Sequence, residues 1–202
     1  MNFIFIILTF LISAVIARIL IPRILLISLR KKLFDIPDDR KIHKRAIPRL
    51  GGVSFFPTTL FAFCLVYAFR LLDGNSISTL YASYLLPELL LFACGMTLLY
   101  LTGIADDLVG VRYRQKFAIQ IFCACLFPLS GLWINDLYGL FGIHELSAYV
   151  GIPFTVLTVV FITNAINLID GIDGLASGLS SVALLVFTFL FISKGLWSYA
   201  ML

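Results

Sequence analysis

Asn164, Asn167, Asp170 and Asp173 recur at every third position of the segment NAINLIDGIDGLASG, which separates two long apolar runs. Neighbouring members of such a series face one another on a helix. Each step drifts by about 60°, however, so all four share a face only if the segment tightens toward a 3-10 helix or breaks at Gly171. Ionisable groups at membrane depth are costly and generally line a cavity or a site. A glycine-rich turn alone accounts for Gly171 and Gly174, but not for the amides that precede them. The adjacent pair Asp106-Asp107, in LTGIADDLVG, forms a second cluster. Adjacent carboxylates lie about 100° apart on a helix, yet at a fraying helix end both reach a single divalent cation. Negative charge at a helix C-terminus opposes the macrodipole and calls for a compensating cation, which a merely solvated turn does not supply. Lys116 and Gln120 stand four residues apart at the start of the next apolar run and share a face. Their simplest roles are interfacial snorkelling and a helix contact.

A third cluster fills LRKKLFDIPDDRKIHKRAIPRLGG, where Asp35, Asp38 and Asp39 stand beside Arg40, Lys41, His43, Lys44, Arg45 and Arg49 and a Gly51-Gly52 pair. Arginine forks, lysine charges and glycine backbone amides can hold phosphate oxygens, whereas for Lys31, Lys32 and Lys44 membrane topology is the favoured explanation. Oxygen ligands for a metal ion, with a cationic cradle opposite them, point to phosphoryl transfer onto or from a lipid.

The elements that must position these residues are membrane helices. With 61% hydrophobic and 13% charged residues and a mean hydropathy of +1.04, the chain has more apolar surface than a soluble core of 202 residues hides. Six apolar windows, 3–21, 52–69, 85–105, 117–134, 149–169 and 175–193, approach the roughly 20 residues that a span needs. Strand-like alternation is absent, so the expected fold is an all-α polytopic transmembrane helix bundle of about six spans, in a single membrane domain over 1–202. The first window lacks a basic leader and a small-residue cleavage pattern and reads as an uncleaved span. Cys64, Cys94, Cys123 and Cys125 all fall inside spans and read as packing residues. Basic residues crowd the first and third loops, whereas only Arg70 and Lys194 fall on the other side, so the N-terminus is expected outside. Loops one, three and five, with every polar cluster, then face the cytosol. Membrane topology accounts for the basic loop without any nucleic acid.

Three ordered motifs, DIPDDRKIHKRAIPRLGG, DDLVGVRYRQKFAIQ and NAINLIDGIDGLA, resemble those of the polyprenyl-phosphate N-acetylhexosamine-1-phosphate transferases. The form RKIHKRAIPRLGG is more similar to the branch using UDP-N-acetylglucosamine, or a related UDP-N-acetylhexosamine, than to the muramoyl-pentapeptide branch. The resemblance implies transfer of a sugar 1-phosphate to undecaprenyl phosphate with release of UMP, at the cytosolic face of a bacterial inner membrane, to prime a cell-wall or surface polysaccharide. It implies Mg²⁺, with Mn²⁺ as a substitute, and it admits a homodimer. Carried over residue by residue, Asp106, Asp107 and Lys116 are catalytic, and Asp106, Asp107 and Asp170 are metal ligands. Asn164, Asn167, Asp170, Asp173, Arg40, Lys41 and His43 bind substrate, Asn164 by shaping the turn. The family's later acidic and His-rich loops do not occur before Leu202, so the chain is expected to be an N-terminal portion. Two rival classes are a membrane prenyltransferase, whose paired DxxxD or NDxxD motifs differ from DD followed by Leu108-Val109, and a cation-coupled transporter, whose site belongs near mid-bilayer.

Overall fold

An apolar segment in lipid must satisfy its backbone internally, and a helix does so within one stretch of chain. The computed structural model describes residues 2–35, 47, 48, 50–72, 76–170, 172 and 174–202. The helices are α1 (Asn2–Arg30), α2 (Phe55–Leu72), α3 (Ser76–Val109), α4 (Tyr113–Leu129), α5 (Ala148–Ile169), α6 (Leu175–Ser193) and the short α7 (Trp197–Met201). Extended structure is limited to two small contacts among the described residues. One pairs β1 (Phe34–Asp35) antiparallel to β2 (Ile47–Pro48), and the other is a bridge between Asp136 and Glu145.

Five helical stretches are long and apolar enough to cross a membrane: Asn2–Arg30, Gly51–Leu72, Leu85–Val109, Ala148–Ile169 and Leu175–Ser193. The sixth expected window, 117–134, divides instead. Its helical part, α4, has 17 residues, about 26 Å of rise against a hydrocarbon core of about 30 Å. Beyond it Gly131 turns left-handed at φ +90°, and the N–H groups of Gly131 and Leu132 donate to the carbonyls of Pro128 and Phe127. This 5→2 and 6→1 pattern stops a helix while satisfying its last carbonyls.

The chain divides into two compact units, Met1–Thr79 with Ile169–Leu202, and Leu80–Leu168. In the first, Thr58, Ala62 and Val66 are buried at successive turns of α2, and α1 packs along that helix. Small and β-branched side chains let helix backbones approach closely where lipid provides no hydrophobic drive. A turn at Gly195 sends α7 back toward α1 and α2. There Arg70 Nη1 donates to Ser198 Oγ at 3.1 Å, and Phe3 meets Trp197 edge-on with ring centroids 5.1 Å apart. The β1–β2 contact closes the base of the first loop, followed by a 3-10 turn, Gly51–Ser54, that leads into α2.

The second unit contains most of α3, together with α4 and α5. Phe92 of α3 packs edge-on against Phe127 of α4 with centroids 6.1 Å apart. All four cysteines are free thiols; Cys123 is buried on α4 and thus a packing residue, whereas Cys64 and Cys94 are exposed. Between α4 and α5 the chain forms a hairpin rooted on α5. The Ile134 N–H donates to Thr155 Oγ1 at 2.8 Å, and that hydroxyl donates to the Gly151 carbonyl at 2.7 Å. Gly151 is required here by proximity, since a Cβ would lie 2.5 Å from the Ile134 carbonyl and the Trp133 ring. Gly151→Ala is therefore expected to destabilise by about 1–3 kcal/mol through overpacking. Gly178→Ala, where a Cβ meets nothing within 4 Å, serves as control. Thermal unfolding in detergent checks the pair, and equal melting midpoints would refute the close approach.

Candidate active site

A polar cluster of the second unit lies where α3 ends and α4 begins. Asp106 lies in the last turn of α3, and its carboxylate organises the connection. Oδ1 accepts the Val111 N–H at 3.0 Å, and Oδ2 lies 2.8 Å from Lys116 Nζ. Its backbone carbonyl accepts the N–H of Gly110, which turns left-handed at φ +72° and so ends the helix. Asp106 and Lys116 are both half-buried. The cation that a carboxylate at a helix C-terminus requires is thus Lys116, supplied by the following helix. Asp107 is exposed beside them.

One turn further along α4, buried Gln120 forms a reciprocal amide pair with Asn164 of α5. Asn164 Nδ2 donates to Gln120 Oε1 at 2.8 Å and to the Val160 carbonyl at 2.8 Å, while Gln120 Nε2 faces Asn164 Oδ1 at 3.4 Å. Gln120 is therefore the helix contact its position implied, and the partner that the sequence left unnamed is Asn164. Asn164 sits inside α5, which stays α-helical to Ile169 and turns only afterwards. Asn167 is consequently rotated away from the amide pair and exposed, as is Asp170, the residue following the helix. The chain tightens through Ile172, whose N–H donates to the Ile169 carbonyl at 3.3 Å, and Gly174 starts α6 from φ +77°. Asp173, Arg40, Lys41 and His43 lie outside the described residues.

The structure thus joins Asp106 to Lys116 and Gln120 to Asn164, and connects α3, α4 and α5 at one end of the unit. By residue type Asp107 and Asp170 are hard oxygen donors of the kind Mg²⁺ takes. Both oxygens of Asp106 are engaged with Lys116 and Val111. Among the described residues, no three His, Cys, Asp or Glu side chains are grouped to hold a metal ion.

The profile of glycosyl transferase family 4 matches residues 89–202, more than half of the chain and the part that carries all of this geometry. The chain belongs to glycosyl transferase family 4. Among curated proteins it is 30% identical over 191 residues to the probable undecaprenyl-phosphate N-acetylglucosaminyl 1-phosphate transferase of Bacillus subtilis (strain 168), covering 94% of this chain and 49% of the relative. It is also 30% identical over 198 residues to the phospho-N-acetylmuramoyl-pentapeptide-transferase of Staphylococcus carnosus (strain TM300), covering 91% and 58%. A third relative, the undecaprenyl-phosphate alpha-N-acetylglucosaminyl 1-phosphate transferase of Yersinia pestis, is 29% identical over 183 residues, covering 87% and 46%. The chain spans about half the length of these relatives.

In this family 4 chain the amide pair makes a stability prediction of its own. Removing one partner leaves the other amide short of a hydrogen bond, whereas removing both is milder. A double-mutant cycle on Gln120→Leu and Asn164→Leu is expected to give a coupling energy of roughly 0.5–1 kcal/mol, the scale of interhelical hydrogen bonds in membranes. Strictly additive losses in mixed-micelle unfolding would mean that the two amides do not support each other.

Proposed function

We propose that the protein transfers an N-acetylhexosamine 1-phosphate from its UDP-sugar to undecaprenyl phosphate at the cytosolic face of a bacterial inner membrane. UMP leaves, and the lipid-linked product primes a cell-wall or surface polysaccharide. Support comes from one observation above others: in a chain of this family, the Asp106–Lys116 pair stands at the same end of the helices as the amides of NAINLID. The topology that goes with the proposal has the N-terminus outside and the first, third and fifth loops in the cytosol.

An acceptor phosphate is largely a dianion at neutral pH, with a second pKa near 6, so it requires little base catalysis. One of its oxygens forms a bond to the sugar-bearing phosphorus of the donor, and the bond to the UMP oxygen breaks. Asp106 holds Lys116 and the α3–α4 turn, and the remaining N–H donors of Lys116 meet the donor diphosphate. Asp107 would be a ligand for Mg²⁺, for which Mn²⁺ would substitute, with Asp170 as the further ligand that the family motifs imply, and the ion would supply charge screening between the two anions. Asn167 and Asp173 contact the nucleotide, and Arg40, Lys41 and His43 contribute the first loop's phosphate contacts. For the sugar, matches of 30% identity to both branches leave the choice to the motif RKIHKRAIPRLGG, which favours N-acetylglucosamine.

Membranes carrying the complete protein, incubated with undecaprenyl phosphate and radiolabelled UDP-N-acetylglucosamine, are expected to release UMP and to label an extractable lipid. Asp107→Asn should lower that turnover by about a hundredfold, the range for loss of one electrostatic group at a transferring phosphoryl centre. Full turnover in this variant ends the metal role, and failure to label lipid from any UDP-N-acetylhexosamine ends the proposal. Label transferred from a prenyl diphosphate, or cation flux with no lipid product, would instead identify the two rival classes. A chelator is expected to abolish transfer, and added Mg²⁺ or Mn²⁺ to restore it. Turnover that persists in the chelator excludes the ion from the site.

A further inference from the structure

We propose that the hairpin between α4 and α5, residues 132–147, together with the first turn of α5, is an anchor for uncharged or zwitterionic lipid headgroups that sets the depth of α5 in the bilayer. This goes beyond the transfer reaction and does not depend on it.

The turn of the hairpin is wound left-handed at four positions: Tyr138 (φ +51°), Gly139 (+84°), Phe141 (+56°) and Gly142 (+74°). Glycine adopts such angles freely, but bulky residues do so at a cost that surroundings must offset. The conformation directs both rings away from the chain: Tyr138 is 88% and Phe141 89% exposed, with Tyr149, in the first turn of α5, 94% exposed. Leu140 and Ile143 are exposed between them. Strain that only presents aromatic rings to water has no compensation. Strain that presents them to the headgroup region does, because amphipathic and aromatic rings concentrate there.

The backbone is prepared for the same environment. The N–H of Leu137 donates to the His144 carbonyl at 3.0 Å, that of Gly139 to Ile143 at 3.0 Å and that of Leu146 to Asn135 at 2.8 Å. The Asp136 carboxylate accepts the Tyr138 N–H at 2.6 Å. A loop that meets many of its own hydrogen bonds carries fewer orphaned polar groups into a poorly hydrated layer. Its charge selects the lipid. The stretch carries Asp136 and Glu145 but no Lys or Arg, so anionic headgroups are disfavoured and neutral ones fit.

The position of the hairpin gives the anchor a purpose. From Tyr149 to Asn167, α5 rises about 27 Å, close to the hydrocarbon thickness of about 30 Å. Fixing Tyr149 at one boundary places Asn167 at the other, and the amide pair carries that depth to α4 and Lys116.

The test uses fluorescence in phosphatidylcholine nanodiscs, with Phe141→Trp and, as a second variant, Tyr138→Trp, each compared with the wild type, which contains Trp133 and Trp197. The added emission is expected to be blue-shifted and shielded from iodide. It should fall roughly twofold with lipids brominated near the headgroup and less with deeply brominated ones, as for a ring about 5–10 Å into the boundary. Replacing a third of the phosphatidylcholine by anionic phosphatidylglycerol should not strengthen the quenching. Iodide quenching as for free indole in the variants would overturn the proposal by placing the tip in water. Emission insensitive to both iodide and bromolipid would overturn it by placing the tip against protein.

Discussion

The arrangement of the second unit depends on two charges that are each misplaced for their own helix. Asp106 sits at the negative end of α3, and Lys116 near the positive end of α4. Alone, each opposes its macrodipole by a few tenths of a kcal/mol to about 1 kcal/mol. At 2.8 Å from one another, they convert two unfavourable placements into one favourable pair. The pair requires both helices and the turn between them, so it specifies their connection and not only their stability. Gly110 and the Val111 N–H complete that turn around the same carboxylate. Half-burial matters here, because a fully exposed pair would be screened and worth little.

From that fixed point the polar contacts continue through the unit by helical spacing. Lys116 and Gln120 share a face of α4, and the Gln120 amide meets Asn164, which places Asn167 one turn onward on α5. Neutral amides suit this part-buried position between helices. A charge there would need its own partner, while two amides satisfy each other through paired N–H and carbonyl groups. The opposite end of α5 is held by different means: a glycine that admits Trp133 and Ile134, and a threonine hydroxyl that accepts one hydrogen bond and donates another. Helix α5 is thus constrained at both ends by contacts within the protein, and the exposed Asn167 lies on the helix so held.

The apolar runs fixed the number and placement of nearly all helices in advance, because a lipid-facing segment has few alternatives to a helix. Where that reading overran, the cause was local. The 117–134 window counted Leu132, Trp133 and Ile134 as span, but the left-handed turn at Gly131 stops the helix before them. The hairpin that follows was legible only as aromatic and glycine-rich, since its pairing depends on left-handed angles at Tyr138 and Phe141 that those residue types do not announce. In the site, the need for a cation beside Asp106 followed from the helix dipole, and Lys116 and Gln120 were placed on one face by their spacing. That Lys116 itself is the cation was not visible, because a ten-residue separation across a turn has no periodic signature. Asn164 is the instructive case. Its three-residue spacing grouped it with Asn167 and Asp170, but the 60° drift per step turns it toward Gln120 instead.

Charge balance connects this end of the unit to the parts of the chain around it. Between residues 106 and 116, Asp106 and Asp107 stand against Arg112, Arg114 and Lys116, a net charge of +1. Asp106 and Lys116 neutralise each other. Arg114 is exposed and directed onto Tyr113, with Nε 2.9 Å from the hydroxyl. Bringing a phosphate dianion against an anionic diphosphate means placing like charges a few ångströms apart, a repulsion of about 4 kcal/mol for each unit pair at 4 Å and an effective dielectric of 20. A surplus of one positive charge does not offset that. The proposed reaction therefore demands additional positive charge from outside this segment, and the proposal draws it from two sources: a divalent ion, for which Asp107 would be a ligand, and the cations of the first loop. If Asp106 and Lys116 were the whole machinery, their mutual neutralisation would leave almost nothing to bind two anions.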